Sequence, residues 1–160
     1  MNTAIVEAIA LRKSGDYEDS RKVLSGLLSH KGLSSIAHLH MAWSYDKEGK
    51  EQNAALHYEF ALQGPLPESD RFEAMFGLAS TLRCLGKYDQ ALDYFKQTVT
   101  EYPDAIEVQP FYAMCLYNLG RTHEAVSILL KLLLSTTDSG EIRQYQRAIS
   151  LYAEDLDRKW

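Results

Sequence analysis

Residues 84–95 read CLGKYDQALDYF, with Tyr88, Ala91 and Phe95 two, five and nine positions after Gly86. The pattern recurs. Gly15, Gly49, Gly86 and Gly120 are spaced 34, 37 and 34 apart, within KSGDYEDS, KEGKEQNA, CLGKYDQA and NLGRTHEA. Seven before each glycine stands an alanine (Ala8, Ala42, Ala79, Ala113). Five after come Ser20, Ala54, Ala91 and Ala125, and nine after come Leu24, Tyr58, Phe95 and Leu129. Twelve after come Leu27, Ala61, Thr98 and Leu132. The apolar positions recur at three- and four-residue steps, which predicts amphipathic helices on both sides of each glycine. The glycine ends the first helix, where a left-handed residue carries no Cβ penalty. The small residues let two antiparallel helices approach, and the bulky residue nine after fills the joint to the next pair. A helical hairpin of this kind cannot bury its apolar face alone, so units stack.

The period, the order small–Gly–Tyr–Ala–aromatic, and Pro103 seventeen after Gly86 resemble the tetratricopeptide repeat (TPR) family over residues 1–136. The third copy fits best, although Thr98 stands where the family usually has alanine. The first departs most, with Glu7 in place of a large apolar residue and Ser20 in place of alanine. The second and fourth lack the tyrosine two after the glycine, and Thr137 replaces the fourth proline. Three extra residues in the region of QGPLPESD, with Pro65 and Pro67, lengthen the turn after the second copy. The resemblance implies an all-α fold, a right-handed superhelical array of four helical hairpins in a single domain. The repeats run over about 1–34, 35–66, 69–104 and 105–137. Ile142, Tyr145, Ile149, Tyr152 and Leu156 then step by 3, 4, 3, 4, which predicts one capping helix over about 140–158. The expectation is nine helices and no strands.

Hydrophobic residues make up 46% and charged residues 24% of the 160, the balance of a soluble globular chain. Residues 1–80 carry 8 Lys/Arg against 11 Asp/Glu, and residues 81–160 carry 9 against 11. No basic stripe stands out, which argues against nucleic acid as a partner. Cys84 and Cys115 form no CxxC and suit a reducing compartment. MNTAIVEAIALRK lacks a basic n-region and carries Glu7, unlike a signal peptide. SILLKLLL is broken by Lys131 and falls short of the ~20 residues of a membrane span. These features predict a cytoplasmic protein with no membrane partner.

Nothing in the chain spells catalysis. His38 and His40 are two apart and point to different sides of a helix, poorly placed to chelate one metal. HExxH, GxxxxGK[ST], GxGxxG and GxSxG are absent. Cys84 and Cys115 read as structural thiols, and the acids of GDYEDS suit a helix start. The expectation is a protein that is not an enzyme and carries no cofactor and no metal.

The resemblance implies a concave face lined by the first helices, at positions ten, six and three before each glycine. The first row is Ile5, Leu39, Phe76 and Pro110; the second Ile9, Trp43, Ser80 and Met114; the third Arg12, Asp46, Arg83 and Tyr117. Seven of the first eight are apolar. An exposed apolar patch marks an interface, and Trp, Phe, Met and Tyr are enriched at the centres of binding sites. The family's two-carboxylate clamp does not carry over, because its positions hold Ile5, Ile9, His40, Glu73 and Gly77. The face therefore predicts a protein or peptide partner, an apolar or amphipathic segment laid helix-in-groove, with Arg12, Arg83, Asp46 and Glu73 setting its direction. The alternative is a homodimer that uses this face or the end of the array, with Trp160 as a candidate edge contact.

Overall fold

The computed structural model describes residues 2–159, so Trp160 lies outside the described residues. Asn2 opens the first helix by accepting the Ala4 N–H on its side chain at 2.9 Å. The helices are α1 (Thr3–Ser14), α2 (Tyr17–Ser25), α3 (Ser34–Lys47), α4 (Glu51–Leu62), α5 (Glu68–Cys84), α6 (Tyr88–Glu101), α7 (Gln109–Asn118), α8 (Thr122–Thr136), α9 (Gly140–Arg143) and α10 (Gln146–Glu154), with a 3₁₀ turn at Ile106–Val108. No strand occurs among the described residues. The fold is all-α. The chain forms two compact units, Met1–Tyr94 and Phe95–Trp160.

The four recurring glycines all have positive φ, between 68° and 92°. Each takes part in one hydrogen-bond pattern. The glycine N–H donates to the carbonyl three before it, and the N–H of the next residue donates to the carbonyl five before that residue: Asp16 to Leu11, Lys50 to Tyr45, Lys87 to Leu82, Arg121 to Leu116, at 2.9–3.0 Å. This is the left-handed helix stop that satisfies orphan carbonyls. It also fixes the backbone of Arg12, Asp46, Arg83 and Tyr117, whose carbonyls accept from the glycines.

In the N-terminal unit α1 packs on α2, α2 on α3, α3 on α4 and α4 on α5, and first helices also touch, α1 with α3 and α3 with α5. The alanines seven before the glycines are buried, as are Ser20, Ala54 and Ala91 five after. Ser20 replaces an alanine without cost to the seam, since its hydroxyl donates to the Ala8 carbonyl at 2.8 Å. Leu24, Tyr58 and Phe95 are buried, and burial of such a side chain contributes roughly 1.5–3 kcal/mol.

In the C-terminal unit α7 packs on α8 and α8 on α10, while Phe95 stacks on Tyr112 with ring centroids 6.2 Å apart. The expected single capping helix is two. The Tyr145 N–H bonds the Ile142 carbonyl, three residues back, at 3.0 Å, and the overwound turn at residues 144–145 separates α9 from α10. Ten α-helices therefore stand among the described residues where nine were expected. The break also splits the predicted stripe. Ile142, Ile149 and Leu156 are half-buried, but Tyr145 and Tyr152 are exposed.

Candidate partner-binding surface

The expected lining residues of the N-terminal unit fall into two groups. Ile5 and Leu39 are 2% and 0% exposed. Ile5 belongs to a buried cluster with Ala37 and Met41 of α3, so it backs the surface from within the core. Ile9, Arg12, Trp43, Asp46, Phe76, Ser80 and Arg83 are all half-buried. In the C-terminal unit Pro110 is half-buried, while Met114 and Tyr117 are exposed.

Trp43 organises the N-terminal part. The Arg12 guanidinium carbon lies 5.2 Å from the indole centroid, a cation–π distance, and His40 meets the ring edge-on at 4.9 Å. Arg12, Trp43, Asp46 and Lys47 line an open depression of about 460 Å³. Burial holds the Arg12 pKa below its ordinary value. Its Nε is buried and makes no hydrogen bond among the described residues. Burial, with Arg12 adding to it, lowers His40 to about 4, so this imidazole is neutral near pH 7. Its Nδ1 likewise has no hydrogen-bond partner among the described residues.

Asp46 is held by neighbouring helices. Tyr58 on α4 donates its hydroxyl to Oδ2 at 2.5 Å, and Thr81 on α5 reaches Oδ1 at 3.4 Å. Burial raises the Asp46 pKa, and the bonds from Tyr58 and Thr81 oppose that rise. Both oxygens are thus engaged from within. Tyr58 has room only because position 77 is glycine: a Cβ there would lie 2.6 Å from the tyrosine Cζ.

Two clusters escape a sequence reading. Arg21 is buried, donates to Ser44 at 2.9 Å, pairs with Glu48 and lies 4.3 Å from the Tyr45 ring centroid, tying α2 to α3. His38 pairs with His57, Nδ1 to Nδ1 at 2.8 Å, beside Tyr45 and Phe60. The sequence had set His38 beside His40. Burial is the main cause that lowers His57 to about 4, with His38 and Arg21 adding to it. The short approach therefore joins two neutral rings, one donor and one acceptor. The two rings stand nineteen residues apart in sequence, on α3 and α4, and only the packing of those helices brings them together. Among the described residues no group of three or more His, Cys, Asp or Glu side chains is placed to hold a metal, and no helix is long and apolar enough to cross a membrane. Cys84 is exposed and Cys115 buried, and no disulfide joins them.

The sequence matches the family model described as Tetratrico peptide repeat over residues 35–156. Comparison with curated proteins gives no match. Among solved structures, YrrB, described as a TPR protein with an unusual peptide-binding site, is 20% identical and superposes with a TM-score of 0.74, covering 98% of this chain and 78% of its own. A crystal form of MamA AMB-1 is 22% identical with a TM-score of 0.72, covering 88% of this chain and 76% of its own. At these identities the likeness concerns the fold.

Proposed function

The chain belongs to the tetratricopeptide repeat family, and from that premise we propose that it is a non-enzymatic, cytoplasmic interaction module that binds an apolar or amphipathic segment of another protein. The proposed contacts of the N-terminal unit are Ile9, Arg12, Trp43, Phe76, Ser80 and Arg83, with Asp46 bracing them; those of the C-terminal unit, taken by itself, are Pro110, Met114 and Tyr117. Ile5 and Leu39 support this surface from the core. The observation that carries the reading is Trp43, half-buried on an open depression and braced by Arg12 and His40. A large aromatic side chain held in one place loses little entropy on binding, which is what a central contact needs. Arg12 and Lys47 flank it, while Asp46 spends its oxygens on Tyr58 and Thr81. An acidic side chain beside the partner's apolar anchor is the natural counter-ion here.

The test uses a panel of amphipathic helical peptides with and without an acidic residue next to the apolar face. Binding is read by the change in tryptophan emission and by calorimetry. Trp43→Ala with Phe76→Ala should weaken the best peptide at least about thirtyfold, the loss of one central contact. Equal binding by wild type and double variant would overturn the assignment. A homodimeric, self-assembling role is the alternative reading, favoured by the apolar side chains exposed along α8.

A further inference from the structure

The internal repeat shows what the residue nine after each glycine packs against. Leu24 shares a buried cluster with Ala37 and Met41 of α3. Tyr58 sits against Gly77 of α5, and Phe95 stacks on Tyr112 of α7. In each of these three joints the first helix of the following hairpin covers the site. The fourth joint is different. Leu129 is 44% exposed, and Val126, whose counterparts Arg21, Ala55 and Leu92 are buried, is 41% exposed.

The helix that could have covered them lies elsewhere on α8. Lys131 pairs with Glu154 at 2.9 Å and His123 with Asp157 at 2.9 Å. At 100° per residue, positions 123, 127 and 131 form a face of α8 distinct from that of 126, 129 and 133. Exposed Thr122, Val126, Leu129, Leu133 and Thr136 step by 4, 3, 4, 3 and form a stripe without a single charge.

α10 nevertheless carries the register of a first helix. Ala148, Tyr152 and Ala153 follow the spacing of Val108, Tyr112 and Ala113, and of Ala74, Leu78 and Ala79. Only Ala153 is buried; Ala148 and Tyr152 are exposed, and Tyr145 is 60% exposed beside them. Both halves of a repeat-type joint therefore stand on the surface of the C-terminal unit, and both are uncharged.

We propose that a second copy of this chain supplies the missing half, with α10 of each copy laid on the α8 stripe of the other about a two-fold axis. The repeat itself argues for the occupant, since a helix with this spacing covers the equivalent site three times within the chain. Charge excludes the head-to-tail alternative. The first helix α1 carries Glu7 where the covering helices carry Met41, Leu78 and Tyr112, and stacking it on Leu129 would bury an unpaired carboxylate. A two-fold arrangement closes and uses each contact twice, once on each copy.

The test is sedimentation equilibrium of the full chain across a wide concentration series. The mass should approach twice the 18.2 kDa of one chain. Leu129→Glu and, independently, Ala148→Glu should each raise the dimer dissociation constant at least about a hundredfold, as expected for a charge forced into an apolar joint. Both positions are exposed, so circular dichroism and melting of the variants should match wild type. Trp43→Ala with Phe76→Ala should leave the mass unchanged, which separates this surface from the proposed partner site. A single-chain mass at every concentration overturns the proposal. So does growth beyond the dimer, loss of the dimer in the Trp43/Phe76 variant, or dissociation by Leu129→Glu but not by Ala148→Glu.

Discussion

Gly77→Ala is the most informative single perturbation of the N-terminal unit. Gly77 lies inside α5, where replacing glycine by alanine ordinarily stabilises a helix by about 1 kcal/mol. Here the added Cβ would meet Tyr58 Cζ, Oη and Cε1 at 2.6, 2.7 and 2.8 Å. The ring is 2% exposed and its hydroxyl is held on Asp46, so it has nowhere to withdraw. Overpacking of this kind costs about 1–3 kcal/mol, and disturbing a hydrogen bond to a carboxylate about 1.5–3 more. Set against the helix gain, the net loss is about 2–5 kcal/mol. For a chain of this size that lowers the melting temperature by roughly 4–20 °C. Urea unfolding followed by circular dichroism measures it. A second background tests the cause. Tyr58→Leu retains an aliphatic filler of the kind Leu24 supplies in the first copy and removes the ring that clashes. In that background Gly77→Ala should cost less than about 1 kcal/mol, a coupling expected of residues in contact. A stabilised Gly77→Ala protein, or an equal cost in both backgrounds, would refute the account of this joint.

Two further predictions concern stability. His40 has its pKa lowered to about 4, against 6.5 when unfolded, so the unfolded chain takes up its proton first. Stability is complete above about pH 6.5 and is lost as pH falls toward 4; from pH 7 to 5 this site alone removes about 2 kcal/mol. His40→Gln should flatten that part of the curve, and an unchanged slope in urea midpoints at the two pH values would remove His40 as its source. Ala91 is fully buried five after Gly86. Ala91→Leu should destabilise by roughly 1–3 kcal/mol or more, and an unaltered melting temperature would show that this position tolerates bulk and that the helix seam has been misassigned.

The helical repeat was legible because its signal is local. A positive-φ glycine, a small residue and a bulky one recur at fixed offsets, and the backbone makes the same two turn bonds each time. The partner surface was legible only as a row of positions. Ile5 and Leu39 occupy the same register as half-buried Phe76, yet both are buried. The first helices touch one another, α1 with α3 and α3 with α5, and local periodicity does not say how deeply that seam covers each position. The break at residues 144–145 was equally hidden, since neither proline nor glycine marks it.

Asp46 shows most directly how structure changes a functional reading. By register it is a groove residue, and by charge it was expected to orient a partner. Its oxygens instead receive Tyr58 from twelve residues away and Thr81 from thirty-five residues away. Those bonds join three helices at the depression that Asp46 and Trp43 both line. A carboxylate spent in this way contributes rigidity to its neighbours rather than free charge to a ligand. The polarity of the depression then rests on Arg12 and Lys47, so its preference should be for acidic neighbours of an apolar anchor. The same residue type at the same repeat position can therefore serve scaffold or recognition, and what decides between them is whether a neighbouring helix has already claimed its hydrogen-bonding capacity.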